Sequence, residues 1–361
     1  MSENIYRKLA QRLDTIPNGF SATESGVELQ LLAKIFTPEE AALASVMRMT
    51  YEPAADIAAR IDAETKVANR TLKKMVRKGL IRVRKGKRQL IFGLMPFVVG
   101  IYEEQLPRMD EEMAELFEQY YLESQGGSIT HDAPAVHRVI PVEETIPFDL
   151  EVFSHEQATG LLENAKSWGV RDCICRVQQQ LVGKSCDHTV ENCLLFAPVE
   201  NVFDNSDVTR ALTKKEALQI LHEAEKEGLV HTTGNYRDRH SYICNCCTCC
   251  CGILRSVAEF DIPTAVARSD FRAAVDAEMC IGCEDCVARC QFGALTVPDD
   301  ICVVDYTRCV GCGACAMVCP TDALQLERRP DDGSKMPLPA NNKEWMVQRA
   351  QERGIQQEDI W

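Results

Sequence analysis

Nineteen cysteines, none of them before residue 173, constrain this 361-residue chain more than any other feature. Eight fall into two runs of one form, Cys280-x2-Cys283-x2-Cys286-x3-Cys290 and Cys309-x2-Cys312-x2-Cys315-x3-Cys319-Pro320. Three thiolates spaced in this way wrap three corners of an iron–sulfur cube, and the fourth cysteine of each run reaches the other cube. Structural zinc also uses Cys-x2-Cys pairs. Four consecutive ligands at 2-2-3 spacing, twice within forty residues, separate these runs from zinc sites. The expectation is a pair of [4Fe–4S] sites.

Residues 272–328 resemble the bacterial-type two-cluster ferredoxins, through Cys-Ile-Gly-Cys-Glu-Asp-Cys at 280–286 and Cys-Val-Gly-Cys-Gly-Ala-Cys at 309–315. The resemblance implies that Cys280, Cys283, Cys286 and Cys319 hold one cube, and that Cys309, Cys312, Cys315 and Cys290 hold the other. Pro320 follows the second run as in the family, whereas Gln291 stands in that place after the first. Gly282, Gly311 and Gly313 suit a backbone that folds tightly over sulfur, because glycine tolerates positive φ. Short strands are expected at 293–297 and 323–326.

The length points to two or three domains, and a 45% hydrophobic content allows sizeable cores. No run of eighteen apolar residues occurs, so no membrane span is expected. The stretch from Leu90 to Tyr102 is too short and is broken by Pro96; it reads as buried packing. The first residues lack the apolar core of a signal peptide. A cytoplasmic, reducing compartment follows as an expectation, and it favours thiolates for metal over disulfides. Anaerobic metabolism is the matching setting.

Charge is unevenly shared. Residues 1–100 carry 17 Lys/Arg against 10 Asp/Glu, net +7, and the remainder carries 23 against 44, net −21. A basic head on an acidic body raises nucleic acid or an acidic protein as the head's partner. Within residues 1–125, the segment 28–93 reads as a winged helix. Leu29 to Ile35 has helical spacing, and Thr37-Pro38-Glu39-Glu40 supplies a helix start. Ala54 to Ile61 gives a third helix, and a fourth runs to about Lys78. On that last helix Leu72, Met75, Val76 and Leu80 face inward, leaving Lys66, Arg70, Lys73, Lys74 and Arg77 on the outer face. Leu80 to Phe92 alternates about Lys85-Gly86-Lys87 and reads as a hairpin wing. Between Thr65 and Leu90 lie eleven basic residues and no acid. That is the footprint of a duplex binder. Winged helices also dock proteins, so the same face fits an acidic redox partner. Asp110 to Leu122 reads as a helix that packs on this domain or pairs two chains in a dimer. Residues 126–153, with Pro134, Pro141 and Pro147, read as a linker.

The middle region, 154–271, has helical patterns at 154–168 and 213–227 and holds ten cysteines. One group is Cys173, Cys175, Cys186 and Cys193. The other is Cys244-Asn-Cys246-Cys247-Thr-Cys249-Cys250-Cys251-Gly252. Six thiols in eight residues carry an oxidation risk that packing alone does not justify. Cys244, Cys247 and Cys250 repeat the Cys-x2-Cys-x2-Cys frame, and Cys246 and Cys249 form an overlapping pair. The expectation is one or two further iron–sulfur clusters ligated jointly by both groups. The alternatives are a zinc ion on Cys173, Cys175, Cys186 and Cys193, or a redox-active thiol pair. Cys250-Cys251-Gly252 resembles the cysteine-rich domains of heterodisulfide reductases. The other cysteines depart from that family's spacing, so no ligand roles carry over. No haem attachment site, dinucleotide fingerprint or phosphate loop is present. Cys302 reads as a buried thiol.

The fold class expected is therefore multidomain α+β: a winged helix, a mixed α/β cysteine-rich domain, a ferredoxin-like two-cluster domain at 272–328, and a polar tail at 329–361 that ends in a helix near 342–353. This plan resembles multidomain iron–sulfur electron-transfer proteins of anaerobic bacteria. It implies a carrier that exchanges electrons with a redox protein or oxidoreductase complex, as a subunit rather than a stand-alone enzyme. The alternative is a redox-sensing transcription regulator that binds DNA through the winged helix. A reductase with its own substrate site ranks third, for want of an acid–base pair.

Overall fold

A computed structural model describes residues 2–330 and 337–361. The chain is multidomain α+β and divides into two compact units. The first comprises Met1–Pro134, Val177–Ser185 and Met346–Trp361, and the second Ala135–Arg176 and Cys186–Trp345.

The first unit opens with α1 (Ser2–Asp14), on which Tyr6, Leu9, Ala10 and Leu13 are buried at helical spacing. Next come α2 (Val27–Ile35) and α3 (Pro38–Ala44). Thr37 caps α3 in a capping box: its hydroxyl accepts from the Glu40 N–H, and the Glu40 carboxylate accepts from the Thr37 N–H. The chain continues through β1 (Glu52–Pro53), α4 (Ala54–Ala59), α5 (Thr65–Arg77), β2 (Ile81–Lys85) and β3 (Leu90–Leu94). The three strands form an antiparallel sheet in the order β1-β3-β2. On α5, Ala68, Leu72 and Met75 are buried, and every basic residue expected on its outer face is exposed. Val76, expected inside, is only half-buried. In α6 (Glu111–Ser124), Met113, Ala114, Tyr120 and Tyr121 are buried within this unit, and the Phe117 ring stacks on Tyr102 at 3.9 Å. The short α7 (Ser128–His131) follows.

The second unit is built on a six-stranded antiparallel sheet in the order β4-β8-β9-β6-β5-β7. Strand β4 (His137–Ile140) is buried at all four positions. It lies inside the stretch read from sequence as a linker, so that reading is corrected: residues 137–140 are an integral strand. The expected helix at 154–168 is also revised. It reduces to α8 (Ala158–Glu163), because β5 (Ser167–Asp172) begins where Trp168 and Val170 alternate against β6 (Glu191–Ala197). Between β5 and β6 runs α9 (Ile174–Leu181). Then come β7 (Arg210–Leu212), α10 (Lys214–Glu227), β8 (Val230–Gly234), β9 (Tyr242–Cys246) and α11 (Gly252–Glu259). One face of the sheet packs Val170, Leu194, Phe196 and Ile243 against Ala217 and Leu221 of α10.

The remaining part of this unit is bracketed by β10 (Phe271–Val275) and β13 (Leu324–Arg328), paired antiparallel from Phe271↔Arg328 to Val275↔Leu324. Inside the bracket lie α12 (Asp285–Arg289), β11 (Leu295–Thr296) and β12 (Val303–Val304). The chain closes with α13 (Asn342–Glu352) and α14 (Gln357–Ile360). The segment expected to be a polar tail is therefore largely folded, with Trp345, Met346, Arg349 and Ala350 buried. Residues 331–336 of that tail lie outside the described residues. Among the described residues no helix is long and apolar enough to cross a membrane.

Candidate metal centres

The two cysteine runs of the C-terminal region line two cavities. One is ringed by Cys280, Cys283, Cys286 and Cys319, with Val297, Cys302 and Leu324. The other is ringed by Cys290, Cys309, Cys312 and Cys315, with Ala273, Leu295 and Leu326. Three sulfurs of each set come from one run and the fourth from the other.

The backbone makes these cavities possible. Gly311 (φ +73°) lies so close to Phe271 that a Cβ there would stand 2.0 Å from its carbonyl oxygen. Gly313 (φ +81°) would meet the Thr145 hydroxyl at 2.3 Å. Backbone amides also point at sulfur: Ala294 N–H donates to Cys290 Sγ and Cys302 N–H to Cys280 Sγ, each at 3.4 Å. Such N–H···S contacts and solvent exposure set a cluster's potential. Burial pushes the Cys286 and Cys315 thiols up, and Cys312 to about 12. At these three positions a bare thiolate is disfavoured and a bound cation is favourable, whereas at Cys319 burial is outweighed by hydrogen bonds from the Thr321 and Leu324 backbone, which lower the thiol. The donor set, the cavities and the amides fit a four-iron cube in each position. Exposure differs between the sets. Cys283 is exposed, with Ile281 and Met279 open beside it, whereas no sulfur of the second set is exposed. Cys302 is buried, its sulfur 3.7 Å from that of Cys286.

A family model of the 4Fe–4S binding domain matches residues 273–296 and 302–325. The chain is an iron–sulfur protein. No curated protein and no solved structure matches it.

The ten middle cysteines separate into two sets, and neither is the set expected from spacing. Strand β9 places Cys244 and Cys246 two residues apart, hence on one face of the sheet, with Cys193 of β6 directly opposite Cys244. Ile243 and Asn245 take the other face. The chain leaves the strand at Cys247 and turns through 248–250, so Cys247, Cys249 and Cys250 part company with Cys244. They meet Cys186 from the loop after α9: the four sulfurs of Cys186, Cys247, Cys249 and Cys250 all lie within 4.8 Å of one another. The Cys244-Cys247-Cys250 frame is therefore not brought together, nor is the quartet Cys173, Cys175, Cys186 and Cys193.

The other six thiols form a string. Cys175 hydrogen-bonds Cys173 and Cys251, Cys246 bonds Cys251 and Cys244, and Cys244 bonds Cys193. Cys251, which the spacing argument had left without a role, is the middle of this string; it is buried at the N-cap of α11. Hydrogen bonds from Cys175 and Cys246 hold it well below the usual thiol range. His137 lies beside the string. Its Nε2 meets the Tyr242 hydroxyl at 2.9 Å, and its Nδ1 meets Thr232, whose hydroxyl is 3.6 Å from Cys246 Sγ. Burial lowers its pKa to about 4, so the ring is neutral at pH 7.

In the compact set, hydrogen bonds from Cys249 and Cys250 hold Cys247 well below the usual thiol range. The Arg176 guanidinium, 3% exposed, donates to Cys247 Sγ at 3.6 Å and to the Asn245 carbonyl at 2.9 Å. Burial alone would lower the Arg176 pKa, but the sulfurs of Cys173, Cys247 and Cys246 outweigh it and raise the value. His188 stands beside Glu227, at 3.6 Å. The compact set is tied to the 4Fe–4S domain by Gln291. Its Oε1 accepts from the Thr248 N–H at 2.8 Å, between two of these cysteines, and its Nε2 donates to the Gly228 carbonyl. Arg289 reinforces the join through the Glu225 carbonyl at 2.7 Å.

Proposed function

We propose that this iron–sulfur protein carries electrons between its 4Fe–4S domain and a redox protein or oxidoreductase partner. The carrying observation is the pair of cavities, each ringed by four cysteines drawn from both runs. Cys280, Cys283, Cys286 and Cys319 would hold one cube; Cys290, Cys309, Cys312 and Cys315 would hold the other. When bound, such cubes supply one-electron transfer. The exposed Cys283 marks the edge where a partner comes closest. Glu284, Asp285, Asp299 and Asp300 are exposed in the same stretch, and a basic partner suits that acidic surface. The middle thiols add a further metal centre, and the Gln291 and Arg289 contacts fix them against the cube domain. A titration with reductant, followed by electron paramagnetic resonance, tests this reading. About two electrons per chain should be taken up and then released to an added basic acceptor protein. A chain that accepts electrons and does not release them sinks it.

A second reading has its own support. Helices α4 and α5 with the hairpin β2–β3 fit a winged helix, and Lys66, Arg70, Lys73, Lys74, Arg77, Lys85 and Lys87 are all exposed. On this reading the clusters sense redox state and the basic face binds DNA. Retardation of duplex DNA by oxidised and reduced protein, across salt concentrations, separates the two. Redox-dependent binding that weakens steeply with salt favours the regulator.

A further inference from the structure

We propose that Cys186, Cys247, Cys249 and Cys250 hold a single tetrahedral metal ion, iron or zinc, rather than an iron–sulfur cube. The proposal rests on the reading that the middle thiols bind metal, but not on electron transfer. Its basis is the size of the sulfur set. A tetrahedral ion with metal–sulfur bonds of about 2.3 Å keeps its thiolates about 3.8 Å apart. Here Cys250 Sγ lies 3.4 Å from Cys186 Sγ and 3.7 Å from Cys249 Sγ, and no pair in the set exceeds 4.8 Å. A cube places each thiolate on a different iron and holds the four further apart than a shared ion does. Four sulfurs around one point, with no imidazole or carboxylate among them, select zinc or iron over harder ions.

The surroundings suit such a centre. One divalent ion with four thiolates carries two excess negative charges, and the buried Arg176 beside Cys247 offsets one of them. Ala224 and Leu229 pack against Cys247 and Cys250, keeping water from that side, while Cys249 is exposed on the other. Cys186 arrives from the loop after α9, so an ion would pin that loop to the β9–α11 turn. Thr248, between ligands Cys247 and Cys249, is held by Gln291, the neighbour of Cys290. The glutamine that replaces the expected proline thus gains a physical reason: it anchors the ion's loop to the adjoining cube domain.

The test is elemental analysis of iron and zinc together with acid-labile sulfide on the full chain, purified without oxygen. Three forms are compared: wild type, Cys249→Ser and Cys249→His. Because Cys249 is exposed, its replacement spares the core. Cys249→Ser should lose about one metal atom and no sulfide, while Cys249→His, which restores a ligand, should keep the ion. Which element is lost tells iron from zinc. Loss of about four iron and four sulfide in Cys249→Ser would overturn the proposal in favour of a cube. Wild-type protein in which metal equals sulfide would overturn it, in favour of free thiols at about eight of each and of a further cube at about twelve. Failure of the two-cube reading would show separately, as wild-type sulfide below about eight.

Discussion

The 4Fe–4S domain and the middle region are both dense in cysteine, yet the groups their sulfurs form relate to sequence in opposite ways. In the 4Fe–4S domain neither Cys-x2-Cys-x2-Cys run crosses a strand: the first passes from a loop into the opening turn of α12 and the second lies in loop and turn, so three sulfurs close in sequence face one cavity. In the middle region the same frame, Cys244-x2-Cys247-x2-Cys250, crosses the end of a strand. Cys244 belongs to a pleated face, and Cys247 and Cys250 to the turn beyond it. In these two regions spacing translates into a common site where no strand interrupts the thiols. Where a strand intervenes, its two-residue period sorts them first.

The largest expected effect comes from Cys309→Ser. It removes a sulfur from the Cys290 set alone, so about four iron and four sulfide should be lost and about four of each kept. Loss of all of them, measured as iron and sulfide per chain, would show that the two sets are not independent. Next is Gly311→Ala. The left-handed φ costs about 1–2 kcal/mol, and the clash with the Phe271 carbonyl adds to it. Gly293→Ala has a similar φ of +60° but its nearest neighbour is 3.8 Å away, so it should bear only the first cost. Equal falls in melting temperature for the two variants would contradict the close approach over the Cys290 set. Gln291→Pro gives the first run the residue that follows the second. It leaves the Thr248 N–H without its acceptor, at about 1–3 kcal/mol. Sulfide content should stay constant while the middle metal becomes easier to remove with a chelator; an unchanged rate of removal would deny the coupling. Smallest for the fold is the pair Lys73→Glu with Arg77→Glu, within about 0.5 kcal/mol by thermal melting. The same pair should weaken duplex binding and flatten its salt dependence if α5 meets DNA; unaltered binding removes that reading.

How much of this was legible in the sequence varied with locality. The helix start at Thr37, the hairpin about Lys85 and Gly86, α10 and the terminal helix α13 all rest on short-range signals, and each was expected within a few residues. Strand β4 was hidden because His137 and Arg138 make half of it polar and Pro134 and Pro141 flank it; only its place in the sheet explains its burial. Helix α1 was passed over although Tyr6, Leu9, Ala10 and Leu13 carry the helical spacing. For the middle thiols, a usable signal was the alternation Tyr242-Ile-Cys-Asn-Cys246, which marks a strand and would have separated Cys244 and Cys246 from Cys247. The meeting of Cys186 with Cys250, 64 residues away, had no local signal.

On the readings proposed above, one region builds cubes and the other gathers thiols around a single ion. Metal and acid-labile sulfide counted on the same anaerobic sample of wild-type protein test it directly, since cubes contribute the two in equal number and an ion contributes metal alone. The expected result is sulfide of at least about eight per chain, with iron plus zinc exceeding it by about one. Equal numbers of metal and sulfide, or sulfide near four, would contradict it.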